Sequence, residues 1–250
     1  MHKLFFILSL IFFCSVSKGK SLHFLNSKYS GDTQLNSVEI TSGISSTENG
    51  TQFDVNGIYK KSKFFLYDNP TNLVAVSTDL QSNYGKYNIK INLRPILLIN
   101  NNYDKRGFSS TIIHTTNFDM NGIGLIGLKY KNIGYYKNIS PALGYYYKNK
   151  DFVLDIFLPS HIRYRSHVND NICLELFSNT GGDFVLNNKN ILGTYTSIKT
   201  GIETIIFPNK KLAFSLQVGK ILDGKLKNES ETIKSFTGSF FEASMILRNL

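Results

Sequence analysis

The feature that most constrains this chain is an alternation of apolar with small or polar residues, sustained for about ten positions at a time and repeated along its length. Leu212, Phe214, Leu216 and Val218 alternate with Ala213, Ser215, Gln217 and Gly219. Phe241, Ala243, Met245 and Leu247 alternate with Phe240, Glu242, Ser244 and Ile246. Earlier, Phe53, Val55, Gly57 and Tyr59 alternate with Gln52, Asp54, Asn56 and Ile58, and Ile89, Ile91 and Leu93 with Lys90, Asn92 and Arg94. A period of two is that of a β-strand, whose successive side chains point to opposite faces. After residue 20 no apolar period of 3.6 persists beyond a few turns. The chain is therefore all-β.

Strands are expected over 36–46, 51–67, 73–81, 86–98, 109–118, 123–131, 138–148, 151–165, 171–186, 195–206, 211–221 and 235–248. Turn chemistry separates them. Asn121-Gly122 suits a type I′ hairpin, which needs positive φ at both central residues. Asn149-Lys150 and Pro208-Asn209-Lys210 supply further short links, and short links join sequence neighbours as antiparallel strands. Polar stretches at 81–84, 100–107, 187–190 and 223–233 read as larger loops. Pro159 cannot donate to a ladder, so the run 151–165 is expected to bulge there. The alternative, two short strands, leaves a second piece too short for a bilayer-spanning strand of about nine to eleven residues.

Run length separates a membrane barrel from a soluble sandwich, whose strands average about five or six residues. Charges add to this. Asp54, Lys90 and Arg94 fall in mid-run on the less greasy parity, as do Asp155, Arg163, Arg165, Glu175, Glu203 and Glu242. A transmembrane barrel tolerates them if they point to its lumen. The expected fold is an antiparallel up-and-down transmembrane β-barrel of about twelve strands, with ten or fourteen as fallbacks, since bacterial barrels close with an even count. Arg163 and Arg165 share parity, as do Asp155 and Glu175 in the neighbouring pieces, so an Arg-carboxylate network is expected to line or plug the lumen. Glu203 and Glu242 are further candidates. Tyr84, Tyr87, Tyr103, Tyr130, Tyr135, Tyr136, Tyr145 to Tyr147 and Phe207 lie near strand ends, where aromatic girdles form.

The start of the chain sets the compartment. Met1 to Lys3 carry a positive charge and Leu4 to Phe13 form an apolar run interrupted only by Ser9, an n-region and h-region too short for a spanning helix. Ser15, Ser17 and Gly19 are small residues for a signal peptidase, so residues 1–19 are expected to be a signal peptide and 20–250 the barrel. Cys14 follows Phe12 and Phe13, which disfavours lipidation. Beyond the leader only Cys173 remains, so no internal disulfide is expected. It alternates with Ile172 and Leu174 as a packing residue. His23, His114, His161 and His167 show no ligand spacing, and no metal or other cofactor is expected.

The formal charge of +10 raises the possibility of nucleic-acid binding, but the basic residues are spread singly, with Lys60-Lys61 and Lys210-Lys211 the densest pairs. No nucleic-acid partner is expected. Attraction of loop Lys and Arg to anionic headgroups is a weaker reading.

One stretch has a familiar order. Ile139-Ser140-Pro141-Ala142-Leu143-Gly144-Tyr145-Tyr146-Tyr147 is followed by Phe152 to Pro159, by Ile162-Arg163-Tyr164-Arg165 and by Gly181-Gly182-Asp183-Phe184. This resembles a family of uncharacterised outer-membrane β-barrel proteins of Gram-negative bacteria. The likeness covers about a third of the chain closely. It departs in having Phe152 where a Trp is often seen, in lacking Trp throughout, and in ending Arg248-Asn249-Leu250 without a terminal aromatic. The resemblance implies the outer membrane as location, with outer-membrane lipid and the barrel assembly machinery as partners. It implies no substrate.

The functional expectation is a narrow, porin-like pore or transport component. The alternative is a structural or surface-interaction barrel. Less favoured are a lipid-modifying barrel enzyme, using His114, His161 or His167 beside Ser109, Ser110, Ser160 or Ser166, and a secreted soluble β-sandwich. No motif fixes a catalytic geometry, and the sequence reading is of a chain that is not an enzyme.

Overall fold

The computed structural model describes residues 19–29, 34–48, 51–64, 71–84, 87–100, 103–117, 121–133, 136–186, 192–228 and 231–248. The expected signal peptide, Cys14 included, lies outside them except for Gly19. Fourteen strands form one closed antiparallel barrel in sequence order. They are β1 (Gly19–Tyr29), β2 (Gln34–Glu48), β3 (Thr51–Phe64), β4 (Thr71–Tyr84), β5 (Tyr87–Asn100), β6 (Tyr103–Asn117) and β7 (Gly122–Ile133). There follow β8 (Tyr136–Lys148), β9 (Phe152–Leu158), β10 (His161–Asn169), β11 (Ile172–Leu186), β12 (Leu192–Asn209), β13 (Leu212–Asn228) and β14 (Glu231–Arg248). β1 pairs β14, Gly19 opposite Arg248, which closes the cylinder.

The count of twelve is corrected to fourteen by two strands. β1 precedes the first expected run and is recognised by its two ladders, to β14 and β2. The run 151–165 does not bulge. It is two strands joined at Pro159-Ser160, where Ser160 N donates to Phe157 O at 2.7 Å. Pro159 occupies the turn, the one place in this hairpin where no ladder donor is needed. Several expected loops are strand: 81–84, 103–107, and 223–228 with 231–233 extend β4, β6, β13 and β14. Polar residues there continue the ladder because pairing is made by backbone, whatever the side chain.

Three hairpins at the end that carries the barrel's first and last residues share one device. Asn149 Oδ1 accepts from Asp151 N and Phe152 N at 2.9 and 2.7 Å. Asn169 Oδ1 accepts from Asn171 N at 2.9 Å, and Asn209 Oδ1 from Lys211 N at 2.9 Å. An Asn side chain imitates a turn of backbone in this way. Asn121 stands just before Gly122, which opens β7, so the expected two-residue turn is instead part of a connection that includes 118–120, outside the described residues.

The outer wall is apolar. Ile126, Leu128, Leu143, Ile162, Leu176 and Ile202 are exposed on it, and Ile139 is 69% exposed. Exposure of that kind on neighbouring strands is a surface made for hydrocarbon. Aromatic residues bound it. A row of Tyr145, Tyr147, Phe152 and Tyr164 runs across β8 to β10, with successive centroids 6.5, 5.5 and 5.4 Å apart. At the opposite end Phe108 and Tyr130 pair at 6.3 Å. From Ile139, opposite Tyr130, to Tyr147 is a rise of roughly 27 Å along the strand, or about 21 Å along the barrel axis at a usual tilt, close to a lipid-facing band.

Inside, β11 to β14 are not polar throughout. Phe177, Tyr195, Ile221, Leu226, Phe236 and Phe240 form a buried cluster. Phe177 and Phe240 rings lie 6.0 Å apart, and Tyr195 stacks on Phe236 at 5.8 Å. Glycines make room for them. Gly201 faces Gly219 across β12 and β13, and a Cβ on Gly219 would run into the Thr200 carbonyl and the Phe240 ring. Gly219→Val is therefore expected to prevent closure of this wall. Loss of the heat-modifiable folded band on a gel is the measurement, and a variant that keeps it at wild-type heat resistance would contradict the packing.

Candidate functional site

The polar site sits on the inward parity of β9 to β14, opposite to exposed Ile162, Leu174, Ile202, Leu216 and Phe241. Register brings its members together. Arg165 lies opposite Glu175, Glu175 opposite Glu203, Glu203 opposite Gln217, and Gln217 opposite Glu242. Four strands thus place four of the expected residues in one transverse row. Arg163 lies one inward step away, opposite Phe177 on one side and Asp155 on the other.

Glu175 is the anchor, 1% exposed. Its Oε2 accepts from Arg165 Nε and Nη2 at 2.9 and 2.7 Å. Its Oε1 is 3.6 Å from Arg163 Nε, which donates to Asn179 Oδ1 at 3.4 Å. Burying a carboxylate this deeply is costly unless charge-assisted hydrogen bonds replace its lost water. Glu203, 8% exposed, accepts a 2.5 Å hydrogen bond from Ser215 Oγ. Glu242 is 4.0 Å from Lys199 Nζ, and the same ammonium stands 5.2 Å over the Phe240 ring.

Arg163, Arg165, Glu203 and Glu242 line a common cavity of about 400 Å³, together with Lys199 and Gln217. Glu175 is bound to the arginines at its wall. Asp155, opposite Arg163 on β9, takes a different partner. Its Oδ2 is 3.1 Å from His161 Nε2, and it does not line the cavity. Elsewhere on the inner face Asn92 Nδ2 donates to Asp79 at 2.6 Å, and Lys60 lies 3.9 Å from Glu39.

Several participants escaped the sequence reading. Lys199 lies in the expected strand 195–206 with Glu203 but was not among the candidates, although its step of four from Glu203 gives it the same parity. Phe177 and Phe240 carry no polar signal at all. His167 Nδ1 is 3.0 Å from Cys173 Sγ, a contact created by the hairpin at 170–171. Ser160 accepts from Lys129 Nζ, not from a histidine. Among the described residues no group of three or more His, Cys, Asp or Glu could hold a metal ion.

No family model matches the chain, and no curated protein matches it. Among solved structures the KdgM porin is 8% identical with a TM-score of 0.43, covering 92% of this chain and 99% of that one. The NanC porin is 8% identical with a TM-score of 0.42, covering 92% and 100%. LpxR from Salmonella typhimurium is 7% identical with a TM-score of 0.43, covering 92% and 100%. The overlap extends no further than the barrel form. The expectation that this chain is not an enzyme is withdrawn, LpxR standing among these barrels beside the porins. The absence of a motif excludes nothing when catalytic groups can be assembled from separate strands.

The physics of the wall locates the protein. Only helices and closed barrels satisfy their backbone inside hydrocarbon, and this closed barrel carries its apolar residues outside between two aromatic rows. It is a β-barrel of the outer membrane.

Proposed function

We propose that the chain is a narrow, constricted pore for small polar solutes. In this reading Arg163, Arg165, Glu175, Glu203 and Glu242 line the passage, with Asp155 on its flank. The observation that carries it is the interior cavity of about 400 Å³, lined by paired charges and set against the aromatic cluster of Phe177 and Phe240. Lys199, Arg163 and Arg165 face Glu175, Glu203 and Glu242, so cations and carboxylates balance. A balanced lining gives little preference between small anions and cations. Assembly by the barrel assembly machinery and membership of the uncharacterised barrel family belong to the same reading.

Planar-bilayer recording tests it. Wild type should give small unitary currents with a cation-to-anion permeability ratio near about one. Arg163→Leu should shift the ratio toward cations and Glu242→Leu toward anions, while Leu216→Ile on the outer wall should change neither. Silence from folded wild type, or currents indifferent to both charge substitutions, sinks the pore reading. A closed scaffold is the second reading, favoured by the approach of β11 to within 8 Å, Cα to Cα, of β3 and β4 across the barrel.

A further inference from the structure

Beyond the Pro159-Ser160 turn the barrel wall is notched. The β9–β10 hairpin stops at Leu158 opposite Leu143 and at His161 opposite Asn179. Tyr136–Ala142 of β8 and Thr180–Leu186 of β11 therefore run on without a ladder partner between them. The hairpin tip is fixed in place. Thr180 N donates to Ser160 O at 2.8 Å, Thr180 Oγ1 to Pro159 O at 2.7 Å, and Lys129 Nζ to Ser160 Oγ at 2.5 Å. Beside the notch, β13 carries one extra residue between Ile221 and Gly224, which shifts its register with β12 at Ile198/Lys199 and with β14 at Ile221/Gly224. Such a bulge bends its strand and reverses the side-chain parity beyond it. Lys225 and Lys227, on the outward parity of β13, consequently share a recess of about 300 Å³ with Lys129 and Lys131, on the inward parity of β7.

Among the described residues four lysines and one aspartate, Asp223, line this recess, and Asp223 Oδ2 is 2.7 Å from Lys225 Nζ. Ser197 also lines it, 4% exposed, and its Oγ is buried with no hydrogen-bond partner among the described residues. A buried hydroxyl in that state is a donor waiting for an acceptor. Tyr130, between Lys129 and Lys131, belongs to the aromatic pair that marks the membrane interface, so the recess stands at headgroup depth.

We propose that this recess binds a phosphate group. A phosphomonoester brings about 1.5 to 2 negative charges and three strong acceptor oxygens, which suit a recess lined by several ammonium groups and a buried hydroxyl. The site rests on the fold alone and stands whether or not the barrel conducts. The phosphate can arrive on a lipid through the notch or on a soluble molecule through the barrel.

The test uses the full mature chain folded in an uncharged detergent, titrated calorimetrically with inorganic phosphate. A second arm uses zwitterionic vesicles with and without a phosphomonoester lipid. Saturable binding in the first arm supports a soluble source, and binding in the second alone supports a membrane source. In either, Lys131→Gln with Lys227→Gln should weaken binding about a hundredfold, and Ser197→Ala about tenfold. Lys137→Gln, on the outward parity of β8, should leave it unchanged. If the double variant fails to show a heat-modifiable band, Lys227→Glu alone should abolish binding. No saturable binding in either arm, or binding indifferent to these substitutions, overturns the proposal.

Discussion

Phe240→Ala is expected to lower stability and raise current together, each by a large amount. The ring is 4% exposed, lies against the backbone of Gly219, faces Phe177 at 6.0 Å and supports Lys199 at 5.2 Å. Truncating a buried phenylalanine costs about 3–5 kcal/mol, part of it for the cavity left behind. Here the glycines cannot collapse into that cavity, because no side chain on Gly201 or Gly219 is present to fill it. The void therefore persists beside the charged cavity and joins it. The temperature at which the folded gel band disappears should fall markedly, and unitary conductance should rise in the same variant. A fall in heat resistance without any rise in current would separate the packing role of the cluster from a role in the passage.

The second large effect is expected at Arg165. Arg165→Met removes both short hydrogen bonds to Glu175 and leaves a carboxylate that is 1% exposed with only Arg163 nearby, its Nε 3.6 Å from Oε1. Removing one partner of a buried pair costs about 3–5 kcal/mol, chiefly because the remaining charge has lost its solvation. The arginine itself is 36% exposed, so the value lies toward the lower end. Adding Glu175→Met to the same chain should restore much of the heat resistance, since a barrel without either charge has no orphan to solvate. Recovery in the double variant is the decisive measurement. A double variant as unstable as Arg165→Met would show that arginine packing, and not the stranded carboxylate, governs this wall.

Legibility of the site followed from parity. Arg163, Arg165, Glu175, Glu203 and Glu242 were identifiable because each breaks an apolar alternation at a definite step. In the structure those steps fall on one face, opposite exposed Ile162, Leu174, Ile202 and Phe241. Asp155 was grouped with them by the same rule, yet it pairs with His161. Parity says which face a residue takes and nothing about its partner. Asp155 was placed in the piece before Arg163, and the turn at Pro159 folds the two side by side while bringing His161 to the same carboxylate. Reading 151–165 as one bulged strand hid the notch, because a short hairpin between longer strands exists only relative to its neighbours.

The amino-acid sequence by itself determined the strand character of the chain, the division of each strand into an apolar and a polar face, and most of the hairpin connections. These are local properties: side-chain direction has a period of two, and Asn and Pro set turn geometry within four residues. The number of strands, the closure of β1 on β14, the aromatic filling of the interior and the convergence of lysines at the notch were decided only by the tertiary structure. Each depends on register between strands distant in sequence or on the bend produced by a bulge in β13. A one-residue change in either would leave every local pattern intact and move the charges to different partners.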